Sequence, residues 1–293
     1  MSIQKGKILK GIGGFYYVKT ETELIECRAR GLFRNKSVMP YVGDNVEIEI
    51  SPDGSGYIKS IQKRKNFFIR PPIANVDLLL IIVAMANPSP DLLFLDKMLI
   101  QAKMAGTDAI ICFNKSDLIE QNETDYIKTY TDLGYKVFIT STYTGDGMED
   151  LKNAISGKVI SVCGFSGVGK SSILNALLGK ENQEVGEISK KLSRGKHTTR
   201  EVSLIEYTKG SYLADTPGFS SLSLPDSVTK DNLKTCFCEF DKFEPNCRFS
   251  DCVHTNSKFC GVYDALEKGQ IALSRYNNYI NLYESLKDKK EWK

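Results

Sequence analysis

The chain has 293 residues, of which 41% are apolar and 26% are charged, and its net charge is +3. This composition is typical of globular domains with ordinary apolar cores, and the length favours two or three of them. The longest apolar run, Leu78 to Ala86, is too short to cross a bilayer, and the opening MSIQKGKILK lacks the apolar segment of a signal peptide. These features argue against membrane-spanning and secreted proteins and predict a cytoplasmic protein with no membrane partner.

Residues 1–67 have the pattern of a small β-barrel. Short runs rich in Ile, Val, Tyr and Phe alternate with Gly, Asp, Asn and Pro, which predicts strands joined by turns. The predicted strands are Ile8-Leu9, Phe15 to Val18, Leu24 to Ala29, Asn45 to Ile50 and Tyr57 to Ile61. Five strands in so short a segment favour a closed barrel of the OB type.

Positive charge is concentrated in this N-terminal segment. Residues 1–67 contain twelve Lys or Arg against seven acidic residues, which leaves a net charge of +5. The aromatic residues interleaved with this charge are Phe15, Tyr16, Tyr17, Phe33 and Tyr41. Basic and aromatic side chains together are typical of surfaces that bind RNA. We therefore predict an OB-fold RNA-binding domain, with a solvated barrel that packs these rings in its core as the alternative.

Residues 68–222 alternate strand and helix patterns. The continuous apolar run from Asp77 to Ala84 is typical of a buried parallel strand, and Asp91 is placed to cap a following helix. Later strands are predicted at Ala109 to Phe113, Lys136 to Ile139 and Val159 to Cys163. This alternation predicts a doubly wound α/β sheet, in which ligands bind at the carboxyl ends of the strands.

The stretch from Val159 to Leu178 places a phosphate-binding loop between a strand and a helix. The motif G-x-x-x-x-G-K-S spans Gly164, Phe165, Ser166, Gly167, Val168, Gly169, Lys170 and Ser171, and Ser172 comes next. The glycines let backbone N–H groups turn toward a phosphate, and the helix N terminus adds partial positive charge. We expect this segment to bind a nucleoside triphosphate, with Lys170 as a catalytic group at the β- and γ-phosphates and Ser171 on Mg²⁺.

An N-K-x-D motif after the second apolar strand is typical of guanine-binding loops. Its Asp117 can accept hydrogen bonds from guanine N1–H and the exocyclic amine, whereas adenine presents neither donor in that arrangement. Asn114 and Lys115 are expected to order the loop and cover the base. Ser141 and Thr142 match the second base loop of P-loop GTPases, in which a backbone N–H meets guanine O6. Those GTPases usually have alanine at the position of Thr142. These residues favour GTP over ATP.

Two further segments are placed to sense the γ-phosphate. In the D-x-x-G motif, Asp215 is expected to reach Mg²⁺ through water, and the Gly218 N–H is expected to contact the γ-phosphate. Residues 188–200 are basic, with no acid and little apolar periodicity, which predicts a mobile loop. Thr198 or Thr199, with Thr199 as our first choice, is placed there to complete Mg²⁺ coordination when GTP is bound.

The C-terminal residues 223–293 contain the pattern C-x4-C-x-H-x5-C, formed by Cys247, Cys252, His254 and Cys260. Three thiolates and one imidazole suit one structural, tetrahedral Zn²⁺ ion, and the alternative is a set of reduced cysteines without metal. The surrounding stretch is polar and short of core residues, so we expect that it needs the metal to fold. The segment is predicted to be a zinc-binding, mostly α-helical domain.

Other residues of this segment have simpler interpretations. Cys236 and Cys238 are interpreted as ordinary thiols near the domain boundary. A set of apolar residues recurs at helical spacing and predicts a packed helix face. These residues are Tyr276, Tyr279, Ile280, Tyr283 and Leu286.

The sequence lacks the group that many GTPases use to orient the attacking water. A glutamine often follows D-x-x-G, but this chain has Phe219, which can neither donate nor accept the required hydrogen bond. Intrinsic hydrolysis is therefore expected to be slow until a partner or another residue supplies the group. Of the two histidines, His254 belongs to the Cys/His pattern. His197 is then either the residue that positions or activates water, or an exposed loop histidine.

The order of the motifs is unusual, because ordinary GTPases begin with the phosphate loop and reach N-K-x-D fourth. Here the order is N-K-S-D, T-S-T, G-F-S-G-V-G-K-S, H-T-T and D-T-P-G, which is a circular permutation. This order resembles that of the ribosome small-subunit-dependent GTPases, the RsgA (YjeQ) family. The N-terminal barrel, the G-K-H-T-T-R segment and the C-terminal Cys/His pattern extend the resemblance over essentially the whole chain.

The resemblance implies a monomeric, multidomain bacterial GTPase that hydrolyses GTP to GDP. It also implies that the enzyme binds the small (30S) ribosomal subunit and its rRNA late in subunit maturation and is stimulated by it. Two alternatives remain on the residues alone. One is a GTP-sensing, RNA-binding translational regulator that is not dedicated to subunit assembly, and the other is a metabolic GTPase whose barrel and zinc module bind protein.

Overall fold

The computed structural model describes residues 2–29, 39–52, 54–69, 71–119, 124–179, 202–215, 223–255 and 258–287. Within these ranges, no helix combines the length and the apolar character needed to cross a membrane. The described strands and helices form a barrel, a central sheet with helices on both faces, and a C-terminal helical region.

The N-terminal strands close into a five-stranded barrel, as the sequence predicts. They are β1 (Ser2–Ile12), β2 (Phe15–Lys19), β3 (Leu24–Ala29), β4 (Asn45–Ile50) and β5 (Gly56–Ile61). Their order is β1-β2-β3-β5-β4, and β4 returns to pair with β1. Among the described strand pairs of the barrel, β3 and β5 alone are parallel. Alternate side chains fill the interior, among them Ile8, Val18, Val46, Ile48 and Ile58.

Two polar contacts order the segment that leaves the barrel. Arg64 Nε donates to Asp44 Oδ1 at 2.7 Å, and Asp44 is fully buried. The buried side chain of Asn66 exchanges two hydrogen bonds with the backbone of Val76, at 2.8 and 2.9 Å. Short strands β6 (Phe67–Phe68) and β7 (Ile73–Ala74) pair between these contacts. Since Asp44 and Asn66 are buried, unfolding this segment would leave their polar groups unsatisfied.

The central region is a six-stranded sheet in the order β10-β9-β8-β11-β13-β12. Its strands are β8 (Leu78–Ala84), β9 (Asp108–Asn114), β10 (Lys136–Thr140), β11 (Val159–Cys163), β12 (Ser203–Thr208) and β13 (Ser211–Asp215). All neighbours are parallel except β12 and β13. Beyond β12, the sheet continues into the barrel, because Lys10 of β1 pairs with Ser203.

In the described ranges of this region, four helices cover the two faces of the sheet. They are α1 (Leu92–Ala105), α2 (Asp125–Asp132), α3 (Met148–Ile155) and α4 (Lys170–Leu178). On one face, Leu79 and Ile81 of β8 share a core with residues of α1 and α2, while on the other face Leu80 and Ile82 share a core with residues of α3 and α4. The predicted cap is confirmed, because Asp91 Oδ1 accepts a hydrogen bond from the Phe94 N–H at 2.8 Å.

The C-terminal region is mostly helical and has an apolar core of its own. Its α-helices are α5 (Lys230–Leu233), α6 (Gly261–Glu267) and α7 (Leu273–Lys287). The predicted packed face of α7 is confirmed, since Tyr276, Tyr279 and Leu286 are buried and Ile280 and Tyr283 pack against them. Among the described residues between 247 and 260, only His254 and Cys260 are buried. The expectation of a region short of core residues therefore holds for the Cys/His stretch and is wrong for the flanking elements, which bury Phe237, Phe240 and Val262.

A buried charged network fastens this region to the central domain. Arg275 of α7 donates through Nη1 to Asp96 of α1, and through Nε and Nη2 to the two carboxylate oxygens of Glu239 at 2.7 and 3.1 Å. Asp96 also accepts from the Tyr130 hydroxyl and from Asn278 Nδ2, both at 2.7 Å. Burial alone lowers the pKa of Arg275, but the two carboxylates more than offset this effect and raise it well above its ordinary value. The guanidinium is thus a fixed charge within the fold.

Candidate active site and metal centre

The phosphate loop follows β11 directly and ends where α4 begins. Gly169 has φ +94°, and a Cβ there would lie 2.3 Å from Asn114 Nδ2. A Cβ at Gly164 would lie 2.5 Å from the carbonyl oxygen of Ile82. Side chains are therefore excluded at both positions, which keeps the loop backbone free to approach an anion at the N terminus of α4.

Lys170 lies over the loop that it follows. Its Nζ donates to the carbonyl oxygens of Gly164 at 2.7 Å and Phe165 at 2.5 Å. Burial lowers the pKa of Lys170, and the neighbouring Cys163 only partly opposes this effect. A phosphate beside the ammonium would favour its charged form, so the loop and the side chain suit an anionic ligand together.

Asn114 connects the guanine-type loop to the phosphate loop. Its Nδ2 donates to the carbonyl oxygen of Val168 at 3.0 Å, and its Oδ1 accepts from the Thr140 hydroxyl at 3.2 Å. With 1% of its surface exposed, Asn114 orders the loops rather than covers a base. The hydrogen bond from Thr140 to Asn114 was not predicted from the sequence. The position of Thr140 directly before Ser141 could have indicated that it belongs to the site.

The two predicted base loops meet through Asp117 and Ser141. The Ser141 hydroxyl donates to Asp117 Oδ1 at 2.5 Å and accepts from the Tyr143 N–H at 3.2 Å and the Thr144 N–H at 3.1 Å. Asp117 is exposed, so its remaining acceptor sites face solvent. An acceptor pair held this way matches the two adjacent donors of guanine.

Lys115 takes an uncommon backbone conformation beside Asp117. Its φ is +66°, in the left-handed region, and its Nζ donates to the carbonyl oxygen of Asn87. The half-buried side chain is therefore tied to the segment that contains Asn87. The coverage of one face of a base by the lysine stem stays a prediction.

The remaining residues predicted for this site divide into two groups. Those on the carboxyl ends of β9, β10 and β11 lie at one edge of the sheet, as parallel strands require. Ser166, Gly167, Ser171 and Ser172 flank Lys170 there, and Thr142 follows Ser141. Asp215 ends β13, but its side chain is not described. His197, Thr198, Thr199, Gly218 and Phe219 lie outside the described residues.

The four predicted metal ligands converge in the C-terminal region. The ligand atoms of Cys247, Cys252, His254 and Cys260 all lie within 4.8 Å of one another. His254 Nδ1 is 3.6 Å from Cys247 Sγ and 3.5 Å from Cys260 Sγ. Zn–S and Zn–N bonds of about 2.3 and 2.0 Å in a tetrahedron separate sulfur from nitrogen by about 3.5 Å, so the geometry fits zinc.

The surroundings of this cluster suit a bound cation. Burial raises the pKa of Cys260 to about 12, so a positive ion is needed to hold its thiolate form. Burial also lowers the pKa of His254, which favours the neutral imidazole that binds metal. Backbone N–H groups of Gly261 and Tyr263 donate to the sulfurs of Cys247 and Cys260 at 3.3 and 3.4 Å. The cluster is therefore compatible with zinc.

Comparison with known proteins gives the family. A family model described as RsgA GTPase matches residues 61–225, and another described as the RsgA N-terminal domain matches residues 5–58. The chain belongs to the RsgA family of GTPases. As such an enzyme it hydrolyses GTP to GDP, and the sequence-based assignment of family, fold class and activity is confirmed.

Relatives of this RsgA-family GTPase match it from end to end. A protein of Caldanaerobacter subterraneus, named small ribosomal subunit biogenesis GTPase RsgA, is 42% identical over 98% of this chain and 97% of its own length. One of the same name from Clostridium botulinum is 43% identical over 98% of this chain and all of its own. Among solved structures, YjeQ from Thermotoga maritima is 34% identical with a TM-score of 0.84, covering 99% of this chain and 100% of that one. YloQ, described as a circularly permuted GTPase, is also 34% identical, with a TM-score of 0.80 and coverage of 99% and 96%.

Proposed function

We propose that this RsgA-family GTPase binds the small ribosomal subunit late in its maturation and hydrolyses GTP when the subunit stimulates it. The observation that carries the proposal is the likeness over the full chain to relatives named small ribosomal subunit biogenesis GTPase. It extends across all three proposed domains, 1–67, 68–222 and 223–293. No observation favours the alternative of a translational regulator. A monomer working in the cytoplasm is the simplest form of this proposal.

The nucleotide roles follow from the geometry of the two loops. We assign the β- and γ-phosphates to the loop from Gly164 to Ser172, with Lys170 as the cation that stabilises charge on the transferred phosphoryl group. Asp117 reads the guanine N1–H and amine, and the Thr142 backbone N–H meets O6. Ser171 and Thr199 hold Mg²⁺, which neutralises phosphate charge when bound. Asp215 and Gly218 complete the γ-phosphate contacts.

The barrel is proposed to contact rRNA. The exposed Arg28 lies over the ring of Phe15 at 4.6 Å. A stacked pair of this kind presents a flat cationic surface to bases and phosphates. Together with the net charge of +5 in residues 1–67, it supports RNA contact over a purely structural role for this ring.

The proposal is tested by measuring GTP hydrolysis alone and with purified small subunits, large subunits or free RNA. We expect slow turnover alone and strong stimulation by small subunits, because Phe219 cannot orient water. Stimulation by free RNA to the same level would support the translational regulator instead. Turnover that none of these partners changes would contradict both and favour a metabolic GTPase.

His197 is proposed to position or activate the attacking water. Replacement by alanine is expected to reduce subunit-stimulated turnover by about 100-fold, in the range typical of acid–base groups, while GTP binding stays within about 2-fold. The measurement is stimulated kcat together with the Kd for a GTP analogue. If the His197→Ala variant retains stimulated turnover, this role is ruled out and His197 is an ordinary loop histidine.

The Cys/His cluster is proposed to hold one structural zinc. Metal analysis of the purified chain should find about one zinc ion, and Cys252→Ser should lose it because three ligands bind far more weakly. Cys238→Ser is the matched control, since Cys238 is an exposed thiol of the same region outside the cluster. Loss of zinc in the Cys238 variant but not in the Cys252 variant would contradict the assignment.

A further inference from the structure

Tyr143 is exposed to a degree that a large side chain seldom reaches. Its exposed fraction is 89%, the highest among the large apolar side chains in the described ranges. It stands in the base loop and follows Thr142, whose N–H is proposed to meet guanine O6. An aromatic ring exposed to water beside a ligand site gains buried apolar area when it contacts a flat partner.

The backbone that carries this ring is fixed. The Ser141 hydroxyl binds the N–H groups of Tyr143 and Thr144 while donating to Asp117. The Ser141 N–H donates to the carbonyl oxygen of Asp146 at 3.0 Å, and the Thr144 hydroxyl donates to the Asp146 carboxylate at 2.6 Å. Tyr143 is thus held two residues after Ser141, whose hydroxyl contacts Asp117, the carboxylate proposed to bind the base.

The turn that presents Tyr143 is also closed from behind. Gly147 has φ +67°, and a Cβ there would lie 2.0 Å from the carbonyl oxygen of Ile139. The backbone of Gly147 therefore packs closely against β10, and the turn follows the carboxyl end of that strand, at the edge of the sheet that holds the phosphate loop. Ordering the ring on a ligand costs less entropy on a fixed turn than on a free one.

Lys115 leaves room for a second contact with the base. Its ammonium is already bonded to the carbonyl oxygen of Asn87, and in the proposed site its stem covers one face of the base. Asp117 and the Thr142 N–H take the Watson–Crick edge. The opposite face of the base is then the surface that an aromatic side chain from residue 143 can cover.

We propose that the Tyr143 ring stacks on the guanine base and is a positioning residue for nucleotide binding. The inference rests on the proposed guanine site and adds a residue to it. Stacking does not depend on the hydrogen-bonding pattern of the base, so Tyr143 contributes affinity while Asp117 contributes specificity. Tyr143→Leu should raise the Kd for GDP about 3- to 10-fold, and Tyr143→Phe should leave it within about 2-fold.

The experiment measures GDP binding and the proton NMR spectrum of bound GDP for the full chain and its variants. A stacked ring should shift guanine H8 upfield in the wild type and in Tyr143→Phe, and the shift should disappear in Tyr143→Leu. Tyr57→Ala, an exposed tyrosine of the barrel, is the matched control and should change neither the Kd nor the shift.

Failure of the stacking inference and failure of the proposed guanine site give different results. If Tyr143→Leu binds GDP as the wild type does and keeps the H8 shift, the stacking inference is overturned while the guanine site stands. If the wild type binds ADP as tightly as GDP, the guanine site itself is wrong, and the inference falls with it. Weaker binding in both Leu and Phe variants, with no H8 shift in either, would also overturn stacking.

Discussion

Asp117→Asn should change the base that this enzyme prefers from guanine to xanthine. Asparagine keeps one acceptor for N1–H but places a donor against the guanine amine, whereas xanthine has a carbonyl there. A hydrogen bond to a charged group contributes about 1.5–3 kcal/mol, so losing the bond to the amine should weaken GTP binding about 10- to 150-fold. Titrating GDP and XDP against wild type and variant measures the reversal.

Asp146→Asn is the matched control for that substitution. Asp146 lies in the same base loop, and its carboxylate accepts from Thr144 rather than facing the proposed base position. The same loss of charge there should leave the preference for guanine intact. A variant at Asp117 that still prefers GDP as strongly as the wild type would disprove the assignment of this carboxylate.

Arg275→Ala should be the most destabilising single substitution in the buried network. The side chain is 2% exposed, and its removal leaves Asp96, fully buried, without its cation. Breaking a buried ion pair in this way costs about 3–5 kcal/mol of unfolding free energy. Tyr130 and Asn278 still donate to Asp96, which places the expected cost near the lower end. Denaturant unfolding, followed by the exposure of the C-terminal tyrosines, measures the change.

Two companion variants separate the charge from the packing. Arg275→Lys keeps the charge but loses the planar fork that binds Glu239 twice, so its stability should fall between wild type and alanine. Arg248→Ala removes an exposed arginine of the same region and should cost about 0.5 kcal/mol or less. Equal losses for Arg248→Ala and Arg275→Ala would show that the buried network adds no special stability.

The phosphate loop and the base loops are predictable because their chemistry is local. Glycines at fixed spacing before Lys170 can be recognised without knowing what lies around them, and so can an N-K-x-D motif after an apolar strand. The barrel strands follow from alternation and turn residues for the same reason. The parallel β3–β5 pair depends on closure of the whole barrel, and alternation alone does not specify it.

The docking of the C-terminal region is not predictable in that way. In α1, the spacing of the apolar residues Leu92, Leu95, Leu99 and Ala102 indicates one apolar side of the helix, and the charged Asp96 is not part of that pattern. The structure buries Asp96 because α7 covers it, with Arg275 lying 179 positions further along the chain. The edge-to-face contact of Phe94 with Phe165, at 4.7 Å between ring centroids, is equally nonlocal. Contacts of this kind need the fold before they can be recognised.

The strand order of the central sheet also sets the order in which a growing chain can assemble it. Of the central sheet, β8, β9 and β10 are translated first. With them come the Asp117 carboxylate and the Thr142 backbone N–H, which are proposed to bind the base. Strand β11 then inserts beside β8, and the phosphate loop arrives only after it. Since domains fold from the N terminus during synthesis, GTP can stabilise the nascent protein only once the chain has grown past α4. In an unpermuted GTPase the phosphate half would emerge first, so this enzyme acquires its ligand-dependent stability late in its own synthesis.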